Sequence, residues 1–138
     1  MYGYSIAGGS VEVGWARIED THADHPKLIE AGPFAELLDV RAICWSSRLQ
    51  TDGRIPSSAL PTISRGLPRP KLYAQKLVKA GRWRVASRRD GIDGWVIHDF
   101  LKLNPSKEER DAERAANAAR QRRFRARSNG VSHGVSNA

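Results

Sequence analysis

One cysteine in 138 residues, Cys44, rules out an internal disulfide, and a reducing compartment fits that usage. No run approaches the ~18 apolar residues that a membrane span needs. Residues 1–14 lack both a basic start and a continuous apolar segment, so no secretory signal is expected there. Acidic residues are outnumbered, 15 against 23 Lys and Arg, which leaves a net charge of +8 and a pI near 10.2. Such a balance favours a polyanionic partner, nucleic acid or an anionic surface. Catalytic signatures are scarce as well. There is no carboxylate cluster arranged for acid–base work and no Gly-rich phosphate loop. Cys44 has no local base or orienting group and reads as small core filler. Neither an enzyme nor a cofactor is expected.

A second shortage is local. From Ser106 to about Arg127 the apolar residues are Ala112, Ala115, Ala116, Ala118, Ala119, Phe124 and Ala126, with no Leu, Ile, Val or Met. The segment still has strong helix signals. Ser106 and Glu109 form a capping box, and Glu108, Glu109 and Asp111 sit at the positive end of the helix dipole. At 1.5 Å per residue about 22 residues reach roughly 33 Å. A helix with so little to bury is expected to project from the domain and to be solvated or meet a charged partner. Its last part packs Arg120, Arg122, Arg123, Arg125 and Arg127 into eight residues, the charge density a phosphate backbone attracts. A merely solvated tail is the competing reading. Residues 128–138, rich in Ser, Asn and Gly, are predicted to be disordered.

What remains is enough for one modest core. Residues 1–14 are Gly-rich and read as a flexible segment, and the alternation over 11–18 predicts a short strand. A short helix is expected around Pro26–Ala31, stopped by Gly32. A longer one runs from Pro33 to Leu49, with Phe34, Leu37, Leu38, Ile43, Trp45 and Leu49 as a wide buried face. Asp52-Gly53 breaks it, and Arg54-Ile55 is briefly extended. Ser57 or Ser58 caps a short helix containing Pro61 and burying Ala59, Leu60 and Ile63. A third helix opens at Pro70 and stops at Gly81. On it Tyr73, Ala74, Leu77, Val78 and Ala80 share one arc, and Lys71, Gln75, Lys76 and Lys79 share the other, with Leu72 the exception. Two extended runs, 83–88 and 95–98, are joined by a hairpin loop over 89–94. Helix, brief strand, two helices and a hairpin is the order of a winged helix-turn-helix. The expected fold is therefore α+β, a winged helix-turn-helix domain over 15–103 followed by the charged helix over 104–127.

Other constellations are weaker. His22-Ala23-Asp24-His25 puts three metal-capable side chains in four residues, yet a structural zinc site wants four ligands. Asp24 and His25 read more simply as the start of a helix. His98-Asp99 suggests acid–base chemistry, but neighbours on a strand point to opposite faces. Trp45, Trp83 and Trp95 read as core, and Trp15 is left open between core and a base-stacking role.

Several segments are similar to small helix-turn-helix proteins of actinobacterial phages and prophages. They are Trp15-x-Arg17-Ile18-Glu19-Asp20, His25-Pro26-Lys27, Ala31-Gly32-Pro33, Thr51 to Pro56, Leu77 to Trp83, Trp95 to Leu101, and Asn104-Pro105-Ser106 before the Arg-rich helix. Those proteins look distantly like the N-terminal winged helices of phage replisome organisers. The resemblance implies a DNA-binding module rather than a defined pathway. One departure is Arg82, where the family carries an apolar residue before Trp83.

A winged helix lays its third helix in the major groove and its wing on the flanking backbone or minor groove. The expected DNA contacts are Arg69, Lys71, Gln75, Lys76 and Lys79 on that helix, Arg88 and Arg89 on the wing, and Arg120, Arg122, Arg123, Arg125 and Arg127 beyond. Gln reads adenine, whereas Lys meets phosphate as a point charge. The expected role is double-stranded DNA binding as a transcriptional regulator or replication accessory protein, in the cytoplasm and on the nucleoid of a bacterial host. The rival is a protein-interaction adaptor that binds an acidic host protein. A homodimer is left open, and no metal or membrane is expected.

Overall fold

A computed structural model of the chain describes residues 4–6, 9–11 and 14–136, with side chains described over 14–129. The chain divides into two compact units, Met1–Asn104 and Pro105–Ala138. The first is α+β, and the second is one long helix.

Proline and glycine set the frame of the first unit. Helix α1 (Pro26–Ala31) and helix α2 (Pro33–Leu49) both begin on proline, which loses no hydrogen bond at a first helical position. Gly32 lies between them at φ +96°, ending one helix and starting the next. The His25 ring Nδ1 accepts the Lys27 backbone N–H at 3.2 Å, as a capping oxygen would. Strand β3 (Arg54–Pro56), a 3-10 turn over Ser57–Ala59 and helix α3 (Leu60–Ile63) follow. Helix α4 (Pro70–Lys79) then leads into strands β4 (Trp83–Val85) and β5 (Gly94–Ile97). Helix α5 (Phe100–Leu103) closes the unit.

Strand β5 lies between β3 and β4 and runs antiparallel to both, so Trp95 faces Ile55 on one side and Val85 on the other. A Cβ at Gly94 would lie 2.1 Å from the Ile55 carbonyl oxygen, so only glycine lets β3 approach there. Helix α2 is central and packs on α1, α3, α4 and β3. Leu28, Leu38, Ile55, Ile63, Leu77 and Trp83 are almost wholly buried around it. Each such side chain contributes about 1.5–3 kcal/mol.

Several expectations are overturned. Tyr4–Ile6 (β1) and Gly9–Val11 (β2) pair antiparallel, a strand pair that was not expected within residues 1–14. The strand expected over 11–18 does not form at 14–18. Residues 1–3, 7–8 and 12–13 lie outside the described residues. The buried face of α2 is Ala35, Leu38, Asp39, Ala42, Ile43, Ser46 and Ser47. Phe34, Leu37 and Leu49 are exposed, and Cys44 is exposed rather than core filler. Small residues win this face because α1, α3 and α4 approach α2 closely. Neither Ser57 nor Ser58 caps α3; the Ser57 hydroxyl donates instead to Asp93 at 3.1 Å, tying the 3-10 turn to the hairpin loop. Trp83 is core, while Trp45, Trp95 and Leu72 pack partly buried against it and Trp15 is 73% exposed. His98 and Asp99 do approach, at 3.4 Å, because Asp99 leaves the strand at φ +61°.

The second unit is helix α6 (Lys107–Ser136). The Ser106 hydroxyl accepts the Glu109 N–H at 3.1 Å, and Glu109 accepts the Ser106 N–H at 2.8 Å, closing the capping box. The helix passes the expected end at 127 and runs to Ser136, where composition predicted disorder. Once nucleated, a helix adds each residue at small cost, so Ser and Asn do not force it to stop. Residues 137–138 lie outside the described residues. No helix among the described residues is long and apolar enough to cross a membrane.

Candidate nucleic-acid interface

Helix α4 is amphipathic in the sense its sequence predicts. Tyr73, Ala74 and Leu77 are buried. Lys71, Gln75, Lys76 and Lys79 are exposed, as is Arg69 just before the first turn. Lys76 and Lys79 stand in the last turn, where the helix dipole favours cations. Lys76 is also steadied by an aromatic face, its Nζ 5.9 Å from the Tyr73 ring centre, and that ring packs on Phe34 with centroids 5.4 Å apart. Arg69, Lys71 and Lys79 have no side-chain partner among the described residues. Lys71 and Lys79 are thus unpaired cations on one helix face with Gln75 and Lys76, and Arg69 adds a third unpaired cation just before the first turn.

The loop between β4 and β5 is built by Asp90. Its carboxylate takes two hydrogen bonds from the Arg84 guanidinium, at 2.8 and 2.9 Å. It also accepts the Ser87 backbone N–H at 2.7 Å and the Ser87 hydroxyl at 3.0 Å. These contacts hold the Asp90 carboxyl well below the usual carboxylate range, with Arg84 the largest cause, and the same pair raises the Arg84 guanidinium. The 3-10 turn over Arg88–Asp90 is fixed as a result. Asp90 is committed to Arg84, so Arg88 and Arg89 remain exposed with no acid partner among the described residues. Arg84 was not foreseen as the anchor of this loop, because a pairing across six residues leaves no periodic trace.

In the second unit, Arg120, Arg122, Arg123, Arg125 and Arg127 are all exposed. Their spacing splits them: Arg120, Arg123 and Arg127 share one helix face, while Arg122 and Arg125 lie on the other. Phe124, 70% exposed, lies beside the first group. Arg120 is partly engaged, since its Nη2 donates to the Asn117 side chain. Three of these arginines therefore share one side of the helix.

A second heavily bonded carboxylate, this one buried, lies elsewhere, and sequence reasoning missed it. Asp39 is fully buried on α2. Its Oδ1 accepts the Trp83 indole N–H at 2.8 Å. Its Oδ2 is 3.0 Å from His22 Nε2, 3.1 Å from Arg82 Nη2 and 3.4 Å from Arg82 Nε. The positive charge of Arg82 is thus answered inside the protein, not offered to a polyanion. The one available signal was an acid in the middle of an apolar helix face. His22 and His25 are taken by Asp39 and the α1 cap, and among the described residues no group of three or more His, Cys, Asp or Glu is placed to hold a metal.

Comparison with protein-family models, curated proteins and solved structures returns no match. The assignment therefore stands on the geometry of the chain itself.

Proposed function

We propose that the first unit is a winged helix-turn-helix that binds double-stranded DNA, with α4 as the groove helix and the β4–β5 loop as the wing. The observation that carries this reading is the exposed arc Lys71, Gln75, Lys76 and Lys79, opposite the buried Tyr73, Ala74 and Leu77. The sheet order β3-β5-β4 and the unpaired Arg88 and Arg89 at the loop support it. Lys71, Lys76, Lys79 and Arg69 meet phosphates, and Gln75 is the side chain on this arc suited to read a base edge. Arg88 and Arg89 meet the flanking backbone or minor groove. The arginines of α6 add phosphate contacts. Such a module serves a transcriptional regulator or a replication accessory factor of a phage or its bacterial host, acting on the nucleoid.

A protein-interaction adaptor is the second reading. It is favoured by Ile29, Phe34 and Leu37, which are 65%, 49% and 39% exposed. Apolar residues left in water beside a cationic surface suit an acidic protein partner.

Titration of a labelled duplex against the full chain at several salt concentrations separates the two. The DNA reading expects log K to fall linearly with log salt by about 0.9 per phosphate contact. No saturable duplex binding at low salt refutes it and leaves the adaptor.

A further inference from the structure

We propose that the outward face of α2 docks an amphipathic helix of an acidic partner protein. This deepens the adaptor reading above by naming its surface and the element that sits on it. It does not depend on duplex binding.

The face is the arc that the helix period leaves away from the core. Phe34, Leu37, Arg41, Cys44 and Arg48 follow one another at alternating steps of three and four residues, the seam spacing of paired helices. Ala35, Leu38, Ala42 and Ser46 lie on the other side and are buried. Phe34 is 49% exposed and Leu37 39%, and Leu49 at the helix end is 52% exposed. From Phe34 to Arg48 the seam spans about four turns, or roughly 21 Å. Large apolar side chains at seam spacing are thus left in water on the central helix, a pattern that marks an interaction site.

Charge chooses the occupant. Arg41 and Arg48 stand in the seam, and the arc carries no acid. Glu36 and Asp39, the two acids of α2, fall outside it at 100° per residue, and Asp39 is spent on Arg82 and Trp83. Arg41 Nη1 donates to the carbonyls of Ile63 at 3.3 Å and Arg65 at 2.6 Å, which hold the guanidinium without neutralising it. Arg48 is exposed, with no carboxylate partner among the described residues. At the Phe34 end stands Lys76, over the Tyr73 ring on which Phe34 packs. An apolar stripe is therefore accompanied by cations along its length.

A second copy answers this surface badly. In a parallel pair each seam arginine meets its own counterpart, and in an antiparallel pair Arg41 meets Leu37, so neither orientation brings a carboxylate. A phosphate backbone would meet the arginines and leave Phe34 and Leu37 in water. A helix with Leu at matching spacing and Glu beside it covers the stripe and pairs the arginines together.

The probe is a designed helical peptide about four turns long, with Leu at seam spacing and Glu flanking that stripe. Its counterpart carries Lys in place of every Glu. Each is titrated into the isotope-labelled full chain, with amide chemical shifts as the readout. The Glu peptide is expected to bind saturably and to shift Phe34, Leu37 and Cys44, and the Lys peptide to bind about tenfold more weakly or worse. Leu37→Ser should weaken the Glu peptide about tenfold. Arg48→Glu should weaken it too and narrow the gap between the two peptides. Equal binding of both peptides, shifts confined to another face, or a folded Leu37→Ser chain with undiminished binding overturns the proposal. Sedimentation adds one more outcome: self-association that Leu37→Ser abolishes gives the face to a second copy and overturns it as well. If Leu37→Ser does not fold, Arg48→Glu at its exposed position carries the test, and an unchanged Glu-peptide affinity overturns the proposal. Leu37→Ser keeps the net charge and lies off α4, so its duplex affinity should equal that of the wild type. Failure of peptide binding therefore leaves the DNA reading intact, and failure of duplex binding leaves this surface intact.

Discussion

At the scale of single residues, Asp39 carries the most. A buried carboxylate is tolerated only when hydrogen bonds replace its water, and here Trp83, Arg82 and His22 supply them. Asp39→Ala removes one partner from three donors at once. The buried indole N–H loses the acceptor it has in Asp39, while Arg82, with a side chain 17% exposed, recovers part of its hydration. The expected loss is about 3 kcal/mol, read as a lower urea midpoint at unchanged slope. A change under ~1 kcal/mol would show that the contacts contribute little net stability. Cys44→Ser, at an exposed position, should stay within about 0.5 kcal/mol. Residue-scale burial was the least legible part of the sequence, and α2 shows why. Apolar periodicity tells which side chains are able to be buried. It does not tell which arc the neighbours cover. Ala35, Ala42 and Ser46 lie on the covered side because close packing selects small residues, and Phe34 and Leu49 are left outside.

At the scale of elements, boundaries were legible wherever proline or glycine acts on the backbone. Pro26, Gly32-Pro33, Pro70 and Gly81 mark where α1, α2 and α4 start or stop. The four-residue α5 left no periodic signal, and the extension of α6 opposed local composition. On α4, Gln75→Ala should relax base preference at one position by about 1–3 kcal/mol, while Lys79→Ala should weaken all duplexes alike. Binding selections on randomised duplexes read both, and two wild-type profiles would remove α4 from the groove. For the loop, the depressed pKa of Asp90 fixes the sign of its pH dependence. A group lowered on folding stabilises fully above its unfolded value, ~3.9, and that contribution disappears as pH falls through the lower folded value. Loop order should therefore be flat from neutral pH down to about 4 and decline only below. Arg84→Gln removes the chief cause, so the Asp90 midpoint in a carboxyl NMR titration should rise toward ~3.9. An unmoved midpoint assigns the shift to the Ser87 hydrogen bonds. Arg88→Glu with Arg89→Glu reverses two exposed charges. Melting should hardly change, duplex affinity should fall most at low salt, and the footprint should shorten on the loop side. Wild-type affinity and footprint would make the loop a plain solvated tip.

At the scale of the whole molecule, the two units divide the work between folding and charge. The core lies wholly within Met1–Asn104. Asn104 belongs to that unit, since its side chain accepts the Arg17 N–H at 2.8 Å and donates to the Arg17 carbonyl at 3.2 Å. Helix α6 contributes no buried large side chain among residues 107–129. Its stability comes from the Ser106–Glu109 capping box, the Asp111–Arg114 ion pair at 2.8 Å and alanine propensity. Such a helix forms without a core and presents its arginines to solvent. Deleting residues 105–138 keeps Asn104, so the remaining protein should retain a single cooperative melt. Its duplex affinity should fall. If the face bearing Arg120, Arg123 and Arg127 follows one phosphate backbone, the truncated protein loses three contacts. The slope of log K against log salt should then flatten by about 3 units. A drop of nearly 5 would mean that Arg122 and Arg125 also reach phosphates, so that the helix lies between two strands instead of along one. An unchanged slope would exclude the helix from the DNA interface, and loss of the cooperative melt would show that the first unit leans on the second to fold.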